Sequence, residues 1–201
     1  MRLKRDFYNR STLIVAKELL GKYLVRRIDG RLVRARIIET EAYRGLEDKA
    51  SHASKGITPR TKVMFGPAGF TYVYMIYGMH HCLDIVTENE GYPAAVLVRT
   101  VETLNPKSEI LNKLKIKNPN TKNLEFRDSN LVLTLNGPGK LCRELKIDRT
   151  LNNIDITKSK EIWIKDTGEK IKPFQIKIGK RIGIAYAGSL KDKLWRFWIK
   201  T

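Results

Sequence analysis

Apolar and polar residues alternate with a two-residue period over much of the chain, which is the pattern of half-buried β-strands. This alternation predicts strands over residues 22–27, 31–43, 70–76, 81–87, 94–102, 161–165, 182–186 and 194–200. Asp29-Gly30 separates the first two strands and is a strong signal for a tight hairpin turn. Tyr77-Gly78 begins a second tight turn, between the third and fourth strands. Short connections of this kind favour an antiparallel sheet.

Helical periodicity is confined to short segments. The first predicted helix follows Ser11 or Thr12, either of which can cap it, and ends at Gly21. The second covers residues 138–145, with a proline at the favoured first position. A third short helix is predicted over residues 109–117. Together the elements predict a mixed α/β fold of the α+β type, with a mostly antiparallel sheet flanked by short helices.

The length of 201 residues fits one domain, and no linker or repeat divides residues 1–201. Residues 118–130 are rich in Asn, Lys and Asp, and we interpret residues 105–130 as a surface insertion in that domain. No apolar stretch approaches the ~20 residues of a membrane helix, and no signal-peptide segment follows the basic start. We therefore expect a soluble cytoplasmic protein, associated with the nucleoid if its source is prokaryotic, and no membrane partner.

The charge balance gives the strongest indication of the kind of partner. Thirty-nine Lys and Arg residues against 21 Asp and Glu give a formal net charge of +18. So large an excess favours an anionic partner, and nucleic acid is the usual one. The two cysteines, Cys82 and Cys142, and three histidines have no spacing typical of a zinc site or a disulfide scaffold. We therefore expect neither a metal nor a cofactor.

The basic residues avoid one aromatic segment, since no Lys or Arg lies between Lys62 and Arg99. Six aromatic residues lie in this gap: Phe65, Phe70, Tyr72, Tyr74, Tyr77 and Tyr92. Basic flanks around an aromatic centre indicate phosphate contacts outside and base contacts inside. A buried hairpin would show the same pattern.

Two carboxylates end the second predicted strand. By the two-residue period, Glu39, Glu41 and Tyr43 share a face with Val33, Ala35 and Ile37. Arg34 and Arg36 would then lie on the other face, away from both carboxylates. One carboxylate could polarise a water as a general base. The alternative is a strand that simply reaches solvent.

The second turn carries an aromatic side chain of interest. Tyr72 and Tyr74 share a face of the third strand, whereas Tyr77 lies at the edge of the Gly78 turn. A bulky side chain on a hairpin tip is what a wedge between base pairs requires. Ordinary tyrosines at a sheet edge are the alternative.

These segments occur in a fixed order with several others. They are ETEAY at 39–43, His52, TPR at 58–60, YVYMIYGM at 72–79, VLVR at 96–99, GPGKLC at 137–142 and RIGIAYAG at 181–188. The ordered set resembles the alkyladenine (3-methyladenine) DNA glycosylase family over nearly the whole chain. The resemblance implies one curved domain with a protruding β-hairpin, no metal, and release of a base without cleavage of the strand.

The resemblance also implies roles for individual residues. Glu41 would be the general base that activates water, and Arg99 with the backbone carbonyl of Ile184 or Ala185 would help to hold that water. The flat pocket around the extruded base would be formed by Tyr43, His52 and Tyr74. The DNA-contacting residues would be Tyr77, which fills the gap in the duplex, Met79, Arg60 and Lys140.

Asp84 departs from the family pattern, which typically has Asn at this position of the base pocket. An ionised Asp84 would favour cationic over neutral lesions.

The predicted function is that of a monofunctional, monomeric glycosylase that acts on double-stranded DNA in base excision repair. Its expected substrates are 3-methyladenine and 7-methylguanine, with hypoxanthine and ethenoadenine as further candidates. The competing hypothesis is a non-enzymatic RNA-binding protein, and a nucleoside hydrolase would leave the charge unexplained.

Overall fold

The computed structural model describes residues 1–104 and 132–200. The predictions of a helix over residues 109–117 and of an insertion over residues 105–130 lie outside these residues. In the described part, nine strands form one antiparallel sheet beside three short α-helices and several 3₁₀ helices. The predicted mixed α/β class, with a mostly antiparallel sheet, is therefore confirmed.

The strands are β1 (Tyr23–Ile28), β2 (Arg31–Arg44), β3 (Thr71–Ile76), β4 (His80–Val86), β5 (Ala94–Leu104), β6 (Val132–Asn136), β7 (Ile162–Lys165), β8 (Ile176–Gly179) and β9 (Arg196–Ile199). The helices are α1 (Arg5–Tyr8), α2 (Thr12–Glu18) and α3 (Pro138–Glu144). The main path of the sheet runs β3-β4-β5-β2-β1-β7. In addition, β6 pairs with β5, and β9 pairs with both β2 and β8.

Strand β2 is the centre of the sheet. It pairs with β1 over its first half, with β5 from Ala35 to Arg44, and with β9 from Glu39 to Glu41. Helix α2 packs on one face, where the Thr40 hydroxyl donates to the carbonyl of Ala16 at 2.8 Å. The second half of β2 is thus fixed on both edges and on one face.

The alternation of side chains between the two faces is irregular in β2 and in its neighbour β5, where the two strands pair with each other. The register shifts between Ile37 and Thr40, and Ile37 and Ile38 are both buried in the main core. On β5, Val98 and Val101 both enter the same core although they are three positions apart, which a regular strand would place on opposite faces. The predicted single face is therefore wrong, because Ala35 and Ile37 face the core. Glu39, Glu41 and Tyr43 lie on the opposite face from the core residues that alternate with them.

Three further details differ from the sequence prediction. Residues 182–186 form turns rather than a strand, because Gly183 has a φ of 76° and the Ile182 N–H donates to the Glu41 carboxylate. Strands β6 and β8 were not predicted, since each has only four or five residues in a polar context. Arg36 lies on the same face of β2 as Glu39 and Glu41, because Ala35 and Ile37 face the core, but its ion-pair partners are Glu102 and Glu169.

Candidate active site

A cavity of about 490 Å³ opens on the face of the sheet opposite α2. Its walls come from β3, β4 and β5, from the 3₁₀ segment that contains His52, and from the loop at residues 182–186. Eight of the twelve predicted site residues line it: Tyr43, His52, Arg60, Tyr74, Tyr77, Asp84, Arg99 and Ile184.

The sheet places one row of side chains beside this cavity. Tyr72 is the cross-strand partner of Asp84, Asp84 is the partner of Leu97, and Leu97 is the partner of Glu41. Because directly paired residues of a sheet point to the same face, the row crosses β3, β4, β5 and β2 on one side. Two carboxyl groups therefore lie in one line, two strands apart.

Glu41 is fully buried behind the cavity lining. Its Oε1 accepts a hydrogen bond from the Ile182 N–H at 2.8 Å, and its Oε2 accepts one from the Tyr43 hydroxyl at 2.8 Å. Arg99 Nη1 lies 3.4 Å from Oε1. Burial raises the pKa of Glu41, whereas Arg99, the Ile182 N–H and Tyr43 oppose that rise. All three of these neighbours line the cavity, so the carboxylate is one residue layer from it.

Arg99 bridges the two carboxylates of β2. Its Nε is 3.4 Å from Glu39, which also receives the Arg196 guanidinium at 3.1 Å and the Thr100 hydroxyl at 2.6 Å. Two cations thus meet two anions in this group. Since Glu39 is held by Arg196 and Thr100, Arg99 is positioned to stabilise negative charge on Glu41.

The aromatic wall is built from three rings. Tyr72 and Tyr74 stack with centroids 4.8 Å apart, and His52 meets Tyr74 edge-on at 4.7 Å. The Nδ1 of His52 lies 3.0 Å from the Tyr72 hydroxyl. Burial, with Arg60 and Lys55 nearby, lowers the pKa of His52 to about 4. Its ring is therefore neutral at pH 7. Sequence reasoning used Tyr72 only as a strand residue, although it anchors His52.

Tyr43 is supported from behind by a buried ion pair that the sequence analysis did not identify. Arg181 donates to both oxygens of Asp48, at 2.5 and 2.8 Å, and both side chains are fully buried. The guanidinium lies 4.7 Å from the Tyr43 ring and 4.9 Å from the Trp195 ring. The motif at 181–188 contains Arg181, but nothing in the sequence indicates that Asp48 is its partner.

The β3–β4 hairpin carries two of the four predicted DNA-contacting residues at its tip. Tyr77 is 84% exposed and Met79 is 72% exposed. Arg60 lies at the rim, 5.4 Å from the Tyr74 ring, and Lys140 is exposed on α3. Ala185 is exposed and does not line the cavity, whereas the Ile184 carbonyl accepts a hydrogen bond from the Ala187 N–H at 2.9 Å.

Within residues 1–104 and 132–200, no group of three or more His, Cys, Asp or Glu side chains is arranged to hold a metal ion. No helix in this part is long and apolar enough to cross a bilayer.

The sequence matches the methylpurine-DNA glycosylase family over residues 6–201. The chain belongs to this family. It is 48% identical over 200 residues to a protein of Desulfitobacterium hafniense (strain Y51), covering 99% of this chain and 95% of that one. It is 47% identical over 201 residues to a protein of Clostridium perfringens (strain 13 / Type A), covering 100% and 96%. Both relatives carry 3-methyladenine DNA glycosylase in their names.

A third relative, from Methanocella arvoryzae, is 47% identical over 199 residues, covering 99% of this chain and 92% of its own, and has the same name. As a member of the methylpurine-DNA glycosylase family the chain is a DNA repair enzyme, an N-glycosyl hydrolase that acts on DNA. The predicted resemblance is thus confirmed, and membership favours the enzyme over the non-enzymatic RNA-binding protein.

Proposed function

We propose that this glycosylase flips a damaged purine out of double-stranded DNA and uses Glu41 to drive water onto its N-glycosidic bond. The observation that carries the proposal is the position of the Glu41 carboxylate. It is buried and held by Tyr43, Arg99 and the Ile182 N–H, directly behind an aromatic-lined cavity.

The DNA would be contacted by the hairpin tip and the rim of the cavity. A purine inside a duplex is out of reach of a buried carboxylate, so the nucleotide has to be extruded. Tyr77 and Met79 project from the tip and are suited to fill the space that the nucleotide leaves. Arg60 and Lys140 would contact phosphates, as part of the net charge of +18.

The flipped base would lie against Tyr43, His52 and Tyr74. Alkylated purines such as 3-methyladenine and 7-methylguanine are cationic, and an aromatic face attracts a cation by roughly 0.5–2 kcal/mol. A neutral His52 adds a ring without adding positive charge. One chain supplies every wall of the cavity, so we propose that the enzyme acts as a monomer.

Water attack at the sugar would leave an abasic site and an uncut strand. As the bond breaks, positive charge develops on the deoxyribose, which a carboxylate stabilises while it accepts a proton from water. The Ile184 carbonyl already accepts the Ala187 N–H and has a second lone pair for that water. Arg99 would keep Glu41 ionised and hold the water at its other side.

The decisive experiment is base release from a DNA duplex that contains one 7-methylguanine, followed under single-turnover conditions. Glu41→Gln is expected to lower the rate by roughly 10²–10⁴-fold, because it removes the proton acceptor. Glu39→Gln is the matched control, since Glu39 shares Arg99 but is also held by Arg196. It should cost less than about tenfold.

A wild-type rate for the Glu41→Gln protein would refute the mechanism. The RNA-binding alternative predicts no base release at all, together with affinity for duplex RNA at least equal to that for lesion-bearing DNA. Gel-shift titrations at several salt concentrations measure that second property independently of catalysis.

A further inference from the structure

Asp84 is a buried carboxyl group with an unpartnered oxygen in the wall of the cavity. Its side chain lines the cavity and the residue is only 3% exposed. Its Oδ1 is buried and has no hydrogen-bond partner. Among the described residues, no Lys or Arg forms an ion pair with it, in contrast to Glu41, Glu39 and Asp48.

The groups that face Asp84 carry no positive charge. They are Glu41 and Tyr43 on β2, Tyr72 and Tyr74 on β3, Cys82 on β4 itself and Cys142 on α3. Tyr74 alone favours the charged form, through a hydrogen bond that lowers the pKa of Asp84, but burial has the larger effect. Arg99 of β5 lines the same cavity, but it is held between Glu39 and Glu41. An unpaired carboxylate in such surroundings is strongly destabilised by the loss of hydration, so the group keeps a proton instead. Burial raises the pKa of Asp84 well above its usual value, and the charge of Glu41 adds to this effect.

The sheet fixes the spacing of this acid from Glu41. Both residues are cross-strand partners of Leu97, so their backbones lie two strands apart, about 10 Å. Glycoside hydrolases that use water directly place an acid and a base carboxyl roughly 6.5–9.5 Å apart, with the water at the base. One of these two carboxyls is stabilised as an anion and the other is not, which is how a site separates an acid from a base.

We propose that Asp84 is a second catalytic residue, the general acid that protonates the leaving base when that base is a neutral purine. The proposal rests on the function proposed above, and it adds the source of the proton that a neutral leaving base takes up. It also reverses the expectation from the sequence, which assumed an ionised Asp84 and a preference for cationic lesions.

The protons balance as follows for a neutral base such as hypoxanthine. The water oxygen forms a bond to C1′ of the deoxyribose, and the N-glycosidic bond breaks with its electron pair going to the purine. Asp84 gives its proton to a purine nitrogen, and Glu41 takes one proton from the water. Transfer of that proton from Glu41 to Asp84 through solvent restores the site. A cationic purine leaves as a neutral base and needs no proton from Asp84.

The test compares wild type and Asp84→Asn on two duplexes that differ only in the lesion, hypoxanthine or 7-methylguanine. The variant keeps the size of the side chain but cannot transfer a proton. We expect the ratio of its single-turnover rate on hypoxanthine to that on 7-methylguanine to fall by about 10²-fold or more relative to wild type. Circular dichroism and the urea transition show whether the variant is folded.

The pH dependence gives a second readout. The wild-type rate on hypoxanthine should fall as rising pH removes the proton of Asp84, and the residual rate of Asp84→Asn should lack that fall.

The pH dependence of stability gives a third readout. A group that keeps its proton only when folded makes the wild type less stable as pH rises from 5 to 8. The free energy of unfolding of Asp84→Asn, measured in urea, should therefore increase relative to wild type over that range.

Four results would overturn the proposal: equal losses on both lesions, a loss confined to 7-methylguanine, a wild type that does not release hypoxanthine, or a stability difference independent of pH. Its failure is distinguishable from failure of the proposed function. If 7-methylguanine is released and that release depends on Glu41, only the role of Asp84 is lost. If wild type releases neither base, both proposals are wrong.

Discussion

The β1–β2 and β3–β4 hairpins both turn through two successive residues with positive φ, but they carry different side chains at the tip. Asp29 and Gly30 connect β1 to β2 with φ values of 48° and 78°. Tyr77, Gly78 and Met79 connect β3 to β4, and the first two of these have φ values of 51° and 69°. Positive φ at both central residues is the geometry of a type I′ turn. In the first hairpin, Asp29 suits that geometry and forms an ion pair with Lys146 at 2.6 Å.

The second hairpin has a tyrosine where the turn favours Asn, Asp or Gly. A bulky residue in the left-handed region is a conformational outlier, which costs roughly 1–2 kcal/mol. The side chain of Tyr77 is 84% exposed, so burial does not offset this cost. The first tip therefore has a residue suited to its turn, whereas the second has a conformational cost and an exposed ring beside the cavity.

The largest expected effect is on catalysis. Tyr77→Ala should lower base release from a duplex by roughly 30-fold, if the ring contributes about 2 kcal/mol towards the cost of extrusion. The same lesion in single-stranded DNA needs little extrusion, so there the loss should stay within a few-fold. Single-turnover rates on the two substrates provide the measurement. Equal losses on both would show that Tyr77 does not act as a wedge.

A smaller effect is expected on stability, with opposite signs in the two hairpins. Tyr77→Asn relieves the backbone cost and should raise the free energy of unfolding by about 0.5–1 kcal/mol, or the Tm by ~2–3 °C. The reciprocal change, Asp29→Tyr, should destabilise the protein and leave base release unchanged. Urea titrations and thermal melts measure both. If Tyr77→Asn is less stable than wild type, the tyrosine has a folding role after all.

The smallest effect concerns protonation next to the second hairpin. Tyr72 of β3 contacts His52, whose pKa burial lowers to about 4. Between pH 4 and about 6.5 the unfolded chain binds a proton here that the folded protein does not bind. The stability that His52 contributes is therefore present above pH 6.5 and is lost as the pH falls towards 4.

NMR titration of the His52 ring tests this directly, with an expected midpoint near 4. His52→Gln should remove that part of the acid destabilisation. A midpoint near 6.5 would mean that the ring is accessible to water and carries a charge in the pocket at mildly acidic pH.

The sequence was sufficient for elements whose pattern is local. Alternation located the long strands, and Asp29-Gly30 and Tyr77-Gly78 located both hairpins, because a type I′ turn is specified by its own two residues. The ordered motifs also predicted the family. The candidate pocket residues in these motifs line one cavity in the structure.

Features that depend on distant partners could not be predicted in this way. The irregular pleat near Ile38 changes which side chains share a face, and it arises together on β2 and β5. The ion pair of Asp48 with Arg181 joins positions that are 133 residues apart. Residues 182–186 alternate like a strand, yet the Ile182 N–H binds Glu41 rather than a neighbouring strand.

That last contact gives position 182 an unusual freedom. The main chain supplies the donor, and the Ile182 side chain is 49% exposed at the mouth of the cavity. Nineteen of the genetically encoded amino acids keep the N–H group, and proline alone would delete it. Laboratory evolution could therefore change the size, charge or hydrophobicity of the side chain at the cavity entrance, while the main-chain hydrogen bond to Glu41 is kept.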